Sequence, residues 1–426
     1  MRKQLFAQVW ELVRNQPLLT CISVLGTAFA ITMIMVIVIV WQTKYADLVP
    51  EVNRSRCLYI SAVGVQQKDN KSYGGYSSCS PAFMKRCVEG VPGVEACTAF
   101  SPATDALVSL SDGGQRVKAD ISYTDPAYWH VFRFDFLSGA GFTEADWGGN
   151  RLSVVLCASV ARHLFGTTDA VGQYILLNRR EARVVGVVKD VSLTAKDAYA
   201  QVWTLYPKDE LTAKDINDYA TYMHVAILGH SKADFPRIRE GITKRLADLN
   251  AGLGEWQLTI MEQPDDIVAH VNHIWSNVGP DMSMIYLQYA LALVIILLVP
   301  SLNLCGLSSS RMQQRTAELG VRKAFGATRG VLIRQMLNEN LVLSVVGGIV
   351  GLVLSYASVY VLRGWLFTNN QNVGSSGEFS LSMGALFSPT VFVLAFLFCV
   401  LINLLSAWLP AWMATRCNIV ESLYDH

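Results

Sequence analysis

The stretch 18-LLTCISVLGTAFAITMIMVIVIVW-41 carries no charged residue, and how it is read decides the fold. As a helix it is about 36 Å long at about 1.5 Å per residue, enough to cross a hydrocarbon core of about 30 Å. A cleavable secretory leader is the competing reading, and Ala28-Phe29-Ala30 offers a cleavage site. Cutting there would leave an apolar stump over 31–41, and the whole run exceeds the apolar region of a leader. A retained membrane anchor is therefore expected.

Three further runs, at 282–305, 341–362 and 389–414, are also free of charge and long enough to span. The chain is oily for a soluble protein, 52% hydrophobic and 16% charged over 426 residues. Its net charge of +1 argues against nucleic acid as a bulk electrostatic partner. Orientation follows from Lys and Arg near the runs. The N-terminal flank has Arg2, Lys3 and Arg14, and the connection between the second and third runs has Arg311, Arg315, Arg322, Lys323, Arg329 and Arg334. Between Arg245 and Arg311 there is no Lys or Arg, and 363–388 has only Arg363. Because basic residues stay on the cytoplasmic side, both termini and the 306–340 connection are expected inside, with 42–281 and 363–388 outside. The expected fold class is thus a membrane α-helical protein with four transmembrane helices and a large α+β extracytoplasmic domain between helices 1 and 2. Its boundaries are a flank at 1–17, helices at 18–41, 282–305, 341–362 and 389–414, and a tail at 415–426.

Within 42–281 the pattern alternates strands and helices. Strands are predicted at 56–60, 94–100, 106–110, 117–122, 152–156, 174–177, 183–188, 222–228 and 256–261, and a short helix at 81–90. Phe235, Ile238, Ile242, Leu246 and Leu249 recur at helical spacing. Two β-α-β units at the ends bracket an inserted subdomain at about 125–220. Five of the nine cysteines fall here, and Cys57, Cys79, Cys87 and Cys97 cluster within about 40 residues. They are read either as one or two structural disulfides or as buried free thiols.

No catalytic set is found. Gly229-His230-Ser231-Lys232-Ala233 lacks the closing glycine of a nucleophile elbow and reads as a solvated turn. His270 and His273, with Asp265 and Asp266 nearby, have metal-ligand spacing, but exposed polar residues on a helix are the preferred reading and no metal is expected. Asn53-Arg54-Ser55 and Asn70-Lys71-Ser72 fit a glycosylation triplet that arises often by chance. No G-x-x-x-x-G-K-[ST] phosphate loop occurs. No cofactor is expected on this chain. Small residues at Gly26-x-x-x-Ala30 and Gly347-x-x-x-Gly351 offer helix-packing faces, within one subunit or between two.

The cytoplasmic stretch 315-RTAELGVRKAFGATRG-330 holds Glu318 four residues before Arg322, the favourable order for a helical pair, and Gly326 then bends or stops that helix. Arg315-x-x-Glu318-Leu319-Gly320-Val321-Arg322-Lys323-Ala324-x-Gly326-Ala327 resembles the signature of the FtsX-like, or MacB-like, permeases of ABC transporters. Arg14-Asn15-Gln16-Pro17, Asn303, 123-YTDPAYWHVFRFDFLSGAGF-142, 164-LFGTTDAVGQ-173, 184-VVGVVKD-190 and Leu409-Pro410-Ala411-Trp412-x-Ala414-x-Arg416 carry the resemblance across the whole chain.

That resemblance implies a non-catalytic permease of the bacterial inner membrane with a MacB-like periplasmic core domain. It also implies pairing with a second permease chain, identical or not. A separate ABC ATPase, holding ATP and Mg, would dock on Arg315, Glu318, Arg322, Lys323, Gly326 and Ala327. The ATPase is expected in trans because about 17 residues precede the first run. The tail at Asn418-Ile419-Val420-Glu421-Ser422-Leu423-Tyr424 lacks the family's Pro and Arg, which weakens the expectation of a second ATPase contact there. The implied work is export of a small molecule or peptide, or extraction of a lipoprotein, with a periplasmic adaptor or effector as a further partner. The alternative is a regulator that activates a periplasmic enzyme, such as a cell-wall hydrolase, without transport.

Overall fold

The computed structural model describes residues 17–69, 74–110, 114–147, 152–273, 278–295, 298, 325–367 and part of 393–408. The chain divides into two compact units, one from Met1–Val40, Tyr286–Leu366 and Met383–His426, the other from Trp41–Ile285 and Phe367–Ser382.

In the first unit two helices stand out, α1 (Pro17–Tyr45) and the helix Arg329–Phe367. Within them Thr20–Tyr45 and Arg329–Leu362, of mean hydropathy 2.6 and 2.1, are long and apolar enough to cross a membrane by length and composition. A shorter apolar helix covers Met282–Ile295, the start of the second predicted run. Most of the fourth run lies outside the described residues.

Gly347 and Gly351 pack within the chain. A Cβ on Gly347 would stand 2.8 Å from Cβ of Thr27, and one on Gly351 2.7 Å from the Ala28 carbonyl oxygen. Thr32 Oγ1 lies 2.8 Å from the Ala28 carbonyl oxygen and 3.1 Å from that of Gly351, a polar link between helices that apolar surroundings strengthen. The α1 stripe facing the glycines is Val24, Thr27, Ala28 and Ile31. At 3.6 residues per turn the expected Gly26–Ala30 pair lies about half a turn away from that stripe, although Ala30 is buried.

The second unit is built on three sheets. β1 (Cys57–Ile60) and β4 (Val94–Phe100) flank β13 (His224–Gly229), all antiparallel. Every residue of β1 is buried. Alternate side chains enter two cores: Cys57, Tyr59, Phe100 and Leu228 join one, and Leu58, Ile60, Ala99 and Ile227 the other. Helix α3 (Phe235–Ala251), which follows α2 (Ala158–Phe165) in the chain, covers the second core with Phe235, Ile238, Ile242, Leu246 and Leu249, the face its 3.6-residue spacing predicts.

The other core is mainly a small barrel. Strands β5 (Thr104–Leu110), β6 (Arg116–Thr124), β8 (Leu152–Cys157), β9 (Tyr174–Leu177), β10 (Arg180–Val188) and β11 (Val202–Leu205) run in the order β10-β8-β11-β6-β5-β9. β9 pairs with β10 as well as with β5, which closes the ring, and β7 (Phe136–Gly139) adds to β10. Strands preceding residue 125 thus share the sheet with those of the predicted inserted segment. Closure removes the open edges that invite wrong pairing.

A third sheet orders β12 (Ala220–Thr221), β3 (Gly74–Cys79), β2 (Val63–Gln67) and β14 (Trp256–Thr259). On its outer edge the Leu258 backbone is occupied by Asn250, whose Oδ1 accepts from Leu258 N at 2.7 Å and whose Nδ2 donates to Leu258 O at 2.9 Å. A groove of about 510 Å³ lined by Arg239, Gln257 and Glu262 opens beside this strand, so its edge is not free to add a peptide strand.

The cysteine alternatives resolve toward free thiols. Cys57, Cys79, Cys87 and Cys97 are unbridged. Cys57 and Cys97 sit on strands either side of β13, roughly 10 Å apart at about 4.8 Å per strand, beyond the reach of a disulfide. Burial pushes the thiols of Cys57, Cys87 and Cys97 up to about 12, which leaves them inert.

Where the two cores meet, Asp125 accepts from Thr98 Oγ1 at 2.7 Å, Ala99 N at 2.9 Å, Tyr128 N at 3.1 Å and Tyr206 Oη at 3.2 Å. Burial pushes its carboxyl up to about 6 against these four donors. A raised carboxyl pKa means the folded state holds the proton longer. Its contribution is therefore full below about pH 4 and lost as pH rises through about 6, by at most about 3 kcal/mol. Asp125→Asn removes this dependence and turns an amide donor toward four donors. Its deficit in thermal midpoint against the wild type, measured on the full chain in detergent, is expected to be larger at pH 4.5 than at pH 7.5. Gly351→Leu is expected to lower the midpoint as well, by an overpacking cost of about 1–3 kcal/mol.

Candidate functional site

Helix α1 ends in a polar joint built around Arg54. The last carbonyls of a helix have no partner in the helix itself, and a cation there complements the helix dipole. Arg54 Nη1 donates to the carbonyl oxygens of Thr43 at 2.8 Å and Ala46 at 3.0 Å, both at that end. Its Nη2 donates to Thr194 O at 3.0 Å, and its Nε bonds the carboxylate of Glu51. Arg54 and Glu51 are 3% and 2% exposed. Burial works against the Arg54 charge, but Glu51 outweighs it and raises the guanidinium above its usual range.

Glu51 continues the chain of bonds. Its Oε1 accepts from the backbone N–H of Asp197 at 3.0 Å and of Ala198 at 2.9 Å. The Asp197 carboxylate accepts from His270 Nε2 at 3.0 Å. His270 lies on α4, which is the short helix Ile267–Asn272. Its ring stacks on Tyr59 with centroids 4.3 Å apart, and its Nδ1 is 3.3 Å from Ser61 Oγ. Burial would raise the Asp197 carboxyl, but the attached His270 holds it well below the ordinary carboxylate range. His224 beside them is pushed down to about 4, by burial first, with Asp197 opposing. Asn272 Nδ2 reaches back to Tyr45 Oη on α1 at 3.4 Å.

An unbroken hydrogen-bonded path runs from the carbonyls ending α1, through Arg54, Glu51 and Asp197, to His270 on α4, and the chain proceeds from α4 toward Met282–Ile295. A branch enters the barrel, where Tyr128 Oη donates to Ala198 O at 3.2 Å and Trp203 Nε1 donates to Tyr128 Oη at 3.3 Å. The Arg54 bonds to Ala46 and Thr194 are part-buried and the other links are buried, where such bonds are strong and costly to leave half-made.

The sequence reading missed this joint. Arg54 falls in a chance glycosylation triplet whose Asn53 is buried, with its Nδ2 donating to Val131 O at 2.9 Å. The signal present was Glu51-x-x-Arg54 directly after an apolar run. The side chains of His270 and His273 are buried, not exposed as the sequence reading preferred, and they do not converge as metal ligands. His273 Nδ1 pairs with Asp265 at 2.6 Å while His270 takes Asp197, and no metal-binding cluster is found among the described residues. Ser231 caps a turn, bonding Asp234 at 2.9 Å, as the solvated-turn reading expects.

Of the coupling residues, Arg315, Glu318, Arg322 and Lys323 lie outside the described residues. Gly326 and Ala327 form the turn before the helix that starts at Arg329. Gly326 has φ +92°, a conformation that favours glycine, and Phe325 beside it is 89% exposed. The helix that Gly326 was expected to bend or stop lies outside the described residues.

Arg54→Met leaves Glu51 buried without a counter-charge and is expected to cost about 3–5 kcal/mol. Arg54→Met combined with Glu51→Met removes both charges and is expected to recover part of that loss. Thermal midpoints of the full chain in detergent measure both, and equal midpoints for single and double variants would remove the pair as the anchor.

A family model described as MacB-like periplasmic core domain matches residues 20–245, and one described as FtsX-like permease C-terminal matches 290–419. The chain is 24% identical over 430 residues to the macrolide export ATP-binding/permease protein MacB of Escherichia coli K12, covering 97% of this chain and 59% of that protein. The Shigella flexneri protein of the same name shows the same figures. The chain therefore spans 59% of the length of these curated relatives. Among solved structures, the extracellular domain of the noncanonic ABC-type transporter YknZ from Gram-positive bacteria is 17% identical at TM-score 0.32, covering 46% of this chain and 99% of that one. The periplasmic region of MacB from Actinobacillus actinomycetemcomitans is 14% identical at TM-score 0.32, covering 47% and 88%. With its first half matched as a MacB-like periplasmic core and its C-terminal part as an FtsX-like permease, the chain belongs to the MacB/FtsX-like family of ABC transporter permeases.

Proposed function

We propose that this chain is the permease subunit of an ABC-type complex of the bacterial inner membrane. It carries the motion of a separate cytoplasmic ATPase to its periplasmic domain, without catalysis of its own. In this reading four helices span the membrane, both termini are cytoplasmic and two permease chains pair. The ATPase, with its ATP and Mg, docks on the 306–340 segment through Arg315, Glu318, Arg322, Lys323 and the Gly326-Ala327 bend. The motion serves export of a small molecule or peptide, or removal of a lipoprotein. The names of the curated relatives, which join an ATP-binding part to a permease, support the pairing with an ATPase.

The observation that carries the reading is the buried path from the end of α1 through Arg54, Glu51 and Asp197 to His270. A shift of α1 along its axis moves the carbonyls that Arg54 holds. It cannot do so without moving the 194–198 backbone or breaking buried charge-assisted bonds, each worth about 1.5–3 kcal/mol. Such a joint suits force transfer better than catalysis.

The test is copurification of the membrane complex. An ATPase bearing a phosphate-loop motif is expected to accompany the wild-type chain, with Glu318→Arg or Arg322→Glu weakening its association. Arg54→Met with Glu51→Met is expected to keep the ATPase bound but to disconnect hydrolysis from the periplasmic output. Absence of any ATPase from the wild-type complex, or full retention and normal hydrolysis in both charge-reversed variants, sinks the proposal.

A further inference from the structure

The turn joining β9 to β10 departs from the residue choice its backbone asks for. Asn178 and Arg179 have φ of +48° and +69°, a left-handed region that glycine or asparagine enters readily and a long side chain does not. The turn is held to the neighbouring strand: Asn178 Oδ1 accepts from Leu107 N at 3.0 Å, and Asn178 N donates to Leu107 O at 2.9 Å. Arg179 and Arg180 are thereby presented to solvent on a fixed support.

Strand register gathers more charge around that point. Leu107 pairs with Lys118 and Ser109 with Arg116 across β5 and β6. Ser109 pairs with Leu176 across β5 and β9, and Tyr174 pairs with Arg183 across β9 and β10. Side chains alternate between the faces of a strand. Since Val108, Ile175 and Leu177 are buried in the barrel, Leu107, Leu176 and Tyr174 stand on its outside. Leu107 is 47% exposed. Glu181 pairs with Leu176 and lies on the same face, with Arg183 two residues further along β10. At about 4.8 Å per strand and about 3.4 Å per residue, Arg116 and Arg183 are about 16 Å apart, flanking a small apolar centre. Lys118 is paired with Asp105 at 2.7 Å, but Arg116, Arg179, Arg180 and Arg183 have no ion pair among the described residues.

We propose that the outer face of β5, β9 and β10, centred on Leu107, docks an acidic surface of a partner protein. The apolar centre is covered on docking, and the arginine rim pairs with carboxylates. Arginine forks match carboxylates bidentately, and an apolar, aromatic-bearing centre inside an arginine rim is the composition of protein interfaces. A second copy of this chain fits poorly, because a symmetric contact would set arginines against arginines. The proposal does not depend on nucleotide coupling.

The test places a photoreactive group at the centre, Leu107→benzoylphenylalanine, in the full-length chain in its own membrane. The expected product is an adduct to a protein peptide rich in Asp or Glu, mapped by mass spectrometry. Arg179→Glu with Arg183→Glu is expected to lower its yield by about tenfold, since reversed rim charges weaken encounter. Changing the mapped acidic residues to Lys is expected to restore the yield in that variant. An unchanged thermal midpoint of the charge-reversed chain excludes misfolding, as expected for exposed positions. An adduct to lipid, an adduct to a second copy, no adduct, or a yield that ignores the charge reversals overturns the proposal.

Discussion

The Arg54–Glu51 ion pair is the constraint on which the rest of the second unit depends. Two opposite charges almost wholly removed from water are tolerated only when both are saturated with bonds. Here the guanidinium is bonded by three backbone carbonyls and Glu51, and the carboxylate by Arg54 and two backbone N–H groups. The segment 192–201 contains no long helix or strand, yet Ala195, Asp197, Ala198 and Ala200 are buried. Glu51 supplies the acceptor that the Asp197 and Ala198 amides need to be buried, and Tyr128 satisfies the Ala198 carbonyl. Without the pair this segment has no reason to sit where it does, and His270 loses its carboxylate anchor.

That placement joins elements far apart in sequence. The residues that end α1, the 194–198 segment and α4 meet at one point, and the three-stranded sheet lies between the two cores. A sheet buried on both faces is stiff because each side chain is locked by close packing on either side. Tyr59 illustrates the consequence. Its ring stacks on His270, while its backbone N–H and carbonyl bond the Asp265 backbone at 2.8 and 2.9 Å. β1 is thus tied by its main chain to Asp265, just before α4, and by the Tyr59 ring to His270 on α4.

Local periodicity was legible where each element has one buried face. The apolar spacing of α3, the strands at 94–100 and 174–177 and the pairing of β5 with β6 were all readable, because one face of each packs on a core and the residue pattern records it. β2 and β3 were missed because Gly64, Gly74, Gly75 and the glutamines give no strand pattern, and their pairing rests on register and on Tyr76 lying against Gly64. β11 was missed because all four of its residues are buried, which leaves no alternation to read. The turn at Gly326 was readable because positive φ selects glycine almost alone.

What the sequence by itself determined was the apolar run that makes α1, the soluble character of 42–281, the family signature around Glu318 and Arg322, and the local elements. Those properties reside in consecutive or periodically spaced residues. Only the tertiary structure decided that Gly347 and Gly351 pack on Thr27 and Ala28, that four cysteines are unbridged, and that Arg54, Glu51, Asp197 and His270 join in one hydrogen-bonded path. Arg54 and His270 are 216 positions apart, and no local preference links a residue after a helix to one before another. They are brought together because a buried charge, once taken from water, must be satisfied by whatever polar groups the closing fold can deliver.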